Sequence, residues 1–364
     1  MVWLYVVICV IGVVIALTRA YRRVMHPFWS RQPVFAQHDL HAWSRPRRQI
    51  DPQYSALSSR YYDPAPTAFT WALSSPADRA GVAGLLADSY SDSSSYRYCP
   101  TVAALDSSLS TGGIAVTVHD EAGIVGCATV VPARCQLKDK EIDVSYVDNL
   151  CVAEGSRRQG IAEKLITRAV SDTQREKKGG VYLFKREGAT APIVPLVHAK
   201  ATATYAPLSV ASHEVVGRLS TAEGLVALQR VAEHKKYTCR LLASASTLTA
   251  LLGQGVLRVY GSAVGDVFAF RDLCVEGGDR IVECVCAHRS DASSREQLRL
   301  RYASALRALS NDCYVVVMDG LGDAVDIQEW SATISRPLDT STSTYYLYNF
   351  IEYPHKCDEV LCLL

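Results

Sequence analysis

The run from Ile142 to Arg175 constrains this chain most, because a two-residue apolar period there gives way to a 3.6-residue one across a short basic turn. Ile142, Val144, Tyr146, Leu150 and Val152 fall on one face of an extended strand, interrupted by Asp148. Ile161, Leu165, Ile166, Ala169 and Val170 then fall on one side of a helix. Between them lies Arg157-Arg158-Gln159-Gly160-Ile161-Ala162. A strand-to-helix turn of this kind offers unpaired backbone N–H groups at a helix N-terminus, where the dipole favours an anion. Gly160 lets the backbone approach closely, Ala162 avoids crowding, and two arginines add charge-assisted hydrogen bonds. The spacing predicts a phosphate-holding loop; the plainer alternative is a basic helix start.

The flanking pattern predicts alternating strands and helices. Asp78 to Asp88 reads as a short amphipathic helix with Val82, Leu85 and Leu86 inside. Ile114 to Val118 and Ile124 to Val131 read as a hairpin around Asp120-Glu121-Ala122-Gly123. Gly179-Gly180 stops the helix, and Val181 to Phe184 is a strand. The second half replays this order, with a hairpin around Gly277-Gly278, a helix from Ser294 to Leu309 and a buried strand from Tyr314 to Met318. At 364 residues, 49% of them apolar, the chain can bury two cores. The expected fold class is α/β (α+β), two tandem units with a mixed sheet, at residues 67–235 and 236–364.

Residues 1–18 predict a transmembrane anchor. Val2 to Leu17 carries no charge, and at about 1.5 Å per residue it spans most of a bilayer's hydrocarbon core. Arginines follow the apolar run, whereas a cleaved signal peptide carries its charge in front. The positive-inside rule then places the rest of the chain on the cytoplasmic side of the membrane. A signal peptide and a buried globular helix are the alternatives. From Arg19 to Arg48 there are seven arginines, one acid (Asp39) and no lysine. Residues 19–66 read as an extended basic arm, without a helical period. A formal charge of +1 gives no global pull toward nucleic acid. The twelve cysteines include no CxxC pair and mostly sit in apolar stretches, so they read as reduced core thiols and no metal is expected.

The Arg157–Ala162 spacing resembles the pyrophosphate loop of the GNAT acyltransferases, (R/Q)xxGx(G/A). Elsewhere the chain resembles the glycylpeptide N-myristoyltransferases (N-tetradecanoyltransferases), as a divergent member. Phe28-Trp29-Ser-Arg-Gln32-Pro33-Val34 is similar to their FWxxQPV segment, and Phe69-Thr70-Trp71 to their FxW. Val131-Pro132-Ala133 matches their I-P-A turn. Asn149-Leu150-Cys151-Val152 parallels part of their N-F-L-C-V, and Tyr345-Tyr346-Leu347-Tyr348-Asn349-Phe350 resembles YYLYNW. The order is colinear from residue 26 to the end.

That resemblance implies two GNAT-like halves, the first binding acyl-CoA (myristoyl-CoA) and the second a peptide with an N-terminal glycine. Phe28 and Trp29 would pack against CoA, with Cys151, Val152 and residues Arg157, Arg158, Gln159, Gly160, Ile161 and Ala162 around its phosphates. The backbone N–H groups of Asn149 and Leu150 would form the oxyanion hole, each donor worth about 3–4 kcal/mol in the transition state. The base would be the Leu364 carboxylate. Asp148 is an alternative base or a structural aspartate. Tyr90, Asp92, Tyr96, Arg97 and Tyr98 would form a peptide-binding loop, with Asp339 as a further peptide contact. Ser335 to Ser341 departs from the family's glycine-rich acidic loop, and its histidine near Tyr205 is missing. A degenerate scaffold and a GNAT acetyltransferase are therefore the competing readings.

Overall fold

The structure, a computed structural model, describes residues 2–364 except 38, 40, 41, 57, 59, 60, 62–68, 91–97, 139, 176–179, 189, 211, 274–279 and 310–313. The glycine pairs at 179 and at 277–278 thus lie partly or wholly outside the described residues.

The expected hairpin forms between Ile114–Asp120 and Gly123–Leu137. Asp120 Oδ1 accepts the N–H groups of Ala122 (2.8 Å) and Gly123 (3.1 Å), which closes the turn. Gly123 sits at φ 137°, a conformation that suits glycine alone. The helix Arg79–Ser89 buries Val82, Leu85 and Leu86, as its spacing predicts.

The strand Lys140–Val152 connects through the helix Ile161–Gln174 to the parallel strand Val181–Glu187. The second half repeats the device: Arg280–His288, helix Arg295–Leu309, and the parallel strand Tyr314–Asp319. Parallel neighbours need such a crossover, and each helix buries its apolar stripe on the sheet. Both units belong to one mixed 14-stranded sheet. Its main path runs Val360–Leu363, Cys239–Ala243, Gly123–Leu137, Lys140–Val152, Val181–Glu187, Asp339–Tyr348, Val197–Tyr205, Tyr314–Asp319, Arg280–His288, Val267–Asp272, Leu257–Ser262 and Val216–Arg218. The halves interlock: Asp339–Tyr348, from far along the chain, is inserted between Val181–Glu187 and Val197–Tyr205. Its last four residues, Tyr345 to Tyr348, are all buried, as a strand covered on both faces requires.

Two expectations for the N-terminal segment need correction. The first helix does not stop at residue 18 but runs Val2–Met25, and a short helix Pro27–Arg31 follows, so residues 19–31 are mostly helical rather than extended. The ladder carries across the junction, His26 N–H to Arg22 O and Ser30 N–H to His26 O, both 2.9 Å, with Pro27 at a first-turn position that tolerates it. Trp3–Met25 is long and apolar enough to cross a membrane and is not buried against the body. Beyond Arg31 the described residues of the arm are not helical apart from a short 3-10 turn at Ala42–Ser44, and they join the sheet at isolated points. Val34 bridges Tyr348, Ala36 bridges Ile193, and Arg48–Gln49 pairs with Phe350–Ile351.

This arm brings two distant motifs together. Tyr348 donates its hydroxyl to Gln32 Oε1, and Asn349 N–H donates to Pro33 O at 2.8 Å. Asn349 is fully buried at φ 63°, and its amide donates to Asp51 O (3.0 Å) and Gly180 O (3.1 Å) while accepting from Asp51 N–H (2.8 Å). Replacing Asn349 by Ala removes these bonds, orphans buried partners and keeps a left-handed backbone that alanine disfavours. We expect a loss of about 2–4 kcal/mol in urea unfolding. Asn349→Gly, which relieves only the backbone, should lose less.

Candidate active site

The site begins with a defect in the central strand. Asp148 pairs with Thr129 and Cys151 with Cys127, three steps on one strand against two on its neighbour, so Lys140–Val152 carries one extra residue. Asn149 absorbs it at φ 50°, a left-handed conformation that asparagine tolerates better than most residues. Its amide donates to Thr129 Oγ1 (3.0 Å), and that hydroxyl donates to Asp148 O (3.1 Å), locking the bulge. The bulge reverses the side-chain alternation. Ile142, Val144 and Tyr146 are buried as expected, but past Asp148 it is Asn149 and Cys151 that turn inward while Leu150 is exposed. The expectation that Leu150 shares the apolar face is thus corrected.

The bulge also ends the sheet locally. Lys140–Val152 pairs with Val181–Glu187 only as far as Val147 opposite Phe184. Past that point the two strands have no ladder between them. Asp148, Asn149 and Leu150 from one strand and Lys185, Arg186 and Glu187 from the other line a cavity of about 910 Å³, near the upper end of the usual range for ligand pockets. Trp29 lines the same cavity and stacks on Phe184 at 5.6 Å and 9° between planes, while Phe28 packs edge-on against Trp29 at 4.8 Å.

A second cavity of about 410 Å³ lies at the start of the helix Ile161–Gln174, lined by Cys151, Val152, Arg157, Arg158, Gly160, Ile161 and Ala162. Tyr90, Leu150 and Ala162 line both cavities, so they adjoin. Gly160 is the helix N-cap at φ 74° and supplies no side-chain cap, and Arg158 is also left-handed at φ 64°. The first N–H groups of the helix are therefore without a capping side chain, the condition for holding an anion. Gln159 is exposed beside them. Arg157 is tied down differently from expectation: it donates to Val152 O (3.3 Å) and Ser89 O (2.7 Å), fixing the loop to the neighbouring strand and helix.

The inner part of the larger cavity is charged. Lys185 Nζ lies 3.0 Å from Asp319 and 3.1 Å from Glu187, and Tyr345 donates to Asp319 at 2.8 Å. Arg271 Nε donates to Glu283 (2.8 Å) and Nη1 to the main-chain oxygen of Leu364 (3.1 Å). Burial would lift the Asp319 carboxyl, but Lys185 holds it below the ordinary carboxylate range. Burial would likewise discharge Lys185; Asp319 and Glu187 instead push its pKa well up. Asp148 has no such ion pair among the described residues, and burial raises its pKa. Lys185, Arg271, Glu283 and Asp319 were not singled out from sequence. Their one signal is a charge closing an apolar run, as in Val181-Tyr-Leu-Phe-Lys185 and Val315-Val-Val-Met-Asp319.

Among the expected peptide contacts, Tyr90 and Tyr98 face the larger cavity with ring centroids 5.2 Å apart. Asp339 is exposed at its rim, and Asp92, Tyr96 and Arg97 lie outside the described residues.

Comparison with known proteins agrees with this architecture. Residues 73–190 match the acetyltransferase (GNAT) domain family. An N-myristoyltransferase from Saccharomyces cerevisiae, solved with bound myristoyl-CoA, superposes with a TM-score of 0.71 at 14% identity, covering 91% of this chain and 94% of that one. A further structure of the yeast protein with myristoyl-CoA gives 0.71 at 15% identity, over 91% and 90%. A putative acetyltransferase from Pyrococcus horikoshii gives 0.53 at 11% identity, over 82% and 96%. No curated protein sequence matches significantly. The chain is thus similar, over most of its length, to the N-myristoyltransferases, and it has their α/β fold with a GNAT domain in its first half.

Proposed function

We propose that this chain is an N-acyltransferase that moves a fatty acyl group, myristoyl by resemblance, from acyl-CoA to the N-terminal glycine amine of a protein or peptide. The observation that carries the reading is that the two cavities adjoin, sharing Tyr90, Leu150 and Ala162, which sets an uncapped helix N-terminus beside the gap at a bulged strand. A diphosphate would accept hydrogen bonds at Gly160 to Ala162 with Arg158 beside it, and the thioester would reach Asn149 and Leu150. Those two residues have no ladder partner on the neighbouring strands, so the N–H groups proposed as the oxyanion hole sit where the pairing is broken. Trp29 and Phe184 would wall the pantetheine or acyl portion, with Phe28 packed behind Trp29.

The charged end suits an amine. Among the described residues six acids line the cavity (Asp148, Glu187, Asp272, Glu283, Asp319 and Asp339) against three cations (Lys185, Arg186 and Arg271), an excess of negative charge that favours an incoming ammonium group. Tyr90, Tyr98 and Asp339 would contact the peptide, and Leu364 lies in the same cavity. In this reading the first helix anchors the enzyme in a membrane as a single span, Arg19, Arg22 and Arg23 meet anionic headgroups, and the catalytic body faces the cytoplasm. Residues 67–235 would form the acyl-CoA half and 236–364 the peptide half.

Thermal unfolding with myristoyl-CoA, acetyl-CoA and free CoA tests the donor. A ligand at a hundredfold its Kd adds about 2.7 kcal/mol, so myristoyl-CoA should raise Tm by several degrees and more than the other two. Equal shifts with acetyl-CoA would favour a short-chain acetyltransferase, and no shift with any would remove the site. Gly160→Ala tests the loop. A Cβ there meets nothing within 4 Å, but φ 74° strains it by about 1–2 kcal/mol. Relaxation of the loop should weaken acyl-CoA binding measured by calorimetry, with the rest of the fold intact.

A further inference from the structure

We infer that the acceptor is a peptide with apolar side chains about three to five residues after its glycine, seated in an apolar arm of the larger cavity between the helices Val102–Leu109 and Ala245–Gly253; the inference rests on the acyl-transfer reading above. The strand Gly123–Leu137 sets the direction of the arm. The helix Ile161–Gln174 packs on the core that holds Val130 and Val147. By alternation Val131 and Tyr146 point to the opposite face, where they join Ala133 in a different core. Thr129, Val131 and Ala133 share that face, and all three line the cavity. Thr129 Oγ1 accepts from the Asn149 amide at the bulge, so the row leads outward from the reacting end. From Thr129 to Ala133 it covers about 14 Å at the rise of a strand. An extended acceptor advances about 3.3–3.6 Å per residue, so a chain whose amine lies at the bulge meets Ala133 about four residues later.

The walls there come from both halves of the chain. Ala133 pairs with Ala243, and the helix that follows brings Thr247 and Leu251 to the cavity. Ala104 and Ser108, one turn apart on Val102–Leu109, line it from the other side. Thr111 Oγ1 lies 2.7 Å from Thr247 Oγ1 and ties the two helices together. Val256 and Leu273 complete the arm, placed by the bond from Asp272 N–H to Val256 O at 3.0 Å. Alanine and serine leave the space, while leucine and valine supply apolar contact. The ion pairs of Lys185 and Arg271 belong to the reacting end; among the described residues the charged side chain beside the arm is Asp272. A lysine seated here gives up its water for a single carboxylate, whereas a leucine or phenylalanine gains by burial.

The test uses the full chain in detergent, myristoyl-CoA and octapeptides that begin with glycine and differ only at residues four to six, which are leucine, serine or lysine. The leucine peptide should exceed the lysine peptide in kcat/KM by about ten- to a hundredfold, the effect of burying one such side chain, with serine between them. Leu273→Glu sets a second carboxylate beside the arm and should narrow or reverse that ratio. Ala104→Phe fills the arm and should lower kcat/KM at least tenfold more for the leucine octapeptide than for a glycine tripeptide too short to reach it. Melting temperature and myristoyl-CoA affinity show whether each variant is folded, and the peptide series on the unaltered chain decides even where a variant is not. Equal kcat/KM for the three octapeptides, or a preference for lysine, overturns the apolar arm while acyl transfer stands. An unaltered chain that binds myristoyl-CoA but acylates none of the peptides, the tripeptide included, overturns the acyl-transfer reading and the inference with it.

Discussion

The site depends on one interruption of backbone pairing. Parallel strands that continued in register past Val147 and Phe184 would seal the sheet and leave no room for a ligand. The extra residue at Asn149 breaks the ladder on one side, and the inserted strand Asp339–Tyr348 holds Val181–Glu187 in place on the other. A single left-handed residue thereby opens the gap, leaves Asn149 and Leu150 without ladder partners and turns Leu150 toward the smaller cavity. Bulges next to active sites commonly have this re-aiming role.

The second constraint is the clamp between the arm and the inserted strand. Gln32, Pro33 and Val34 meet Tyr348 and Asn349, and Trp29 stacks on Phe184, which itself stacks on Tyr346 at 5.1 Å. Packing of the N-terminal segment is thus continuous with the cavity wall. The helix long and apolar enough to cross a membrane is followed by one short helix that carries Trp29, a residue lining the larger cavity.

Much of this was legible in the residues. The two crossover units, the hairpin at Asp120 and the helix opening at Gly160 follow from local periodicity and turn chemistry, which act over a few residues. The bulge was not legible, because one added residue inside an apolar strand leaves the composition unchanged and shifts only the face. The charged cluster was not legible either. Lys185, Arg271, Glu283 and Asp319 come from four strands brought together by tertiary pairing, and no spacing along the chain records that. Helical residues between Arg19 and Arg31 were hidden by an arginine- and aromatic-rich composition without an apolar stripe, since an exposed helix needs none.

The decisive measurement is a crystal structure of the full chain with a non-hydrolysable myristoyl-CoA analogue. The diphosphate is expected on the backbone N–H groups following Gly160, the acyl carbonyl within hydrogen-bonding distance of the Asn149–Leu150 segment, and the acyl chain running past Trp29 and Phe184. Density for CoA elsewhere, or a ligand-bound state in which Lys140–Val152 and Val181–Glu187 close their ladder beyond Val147, would contradict this arrangement.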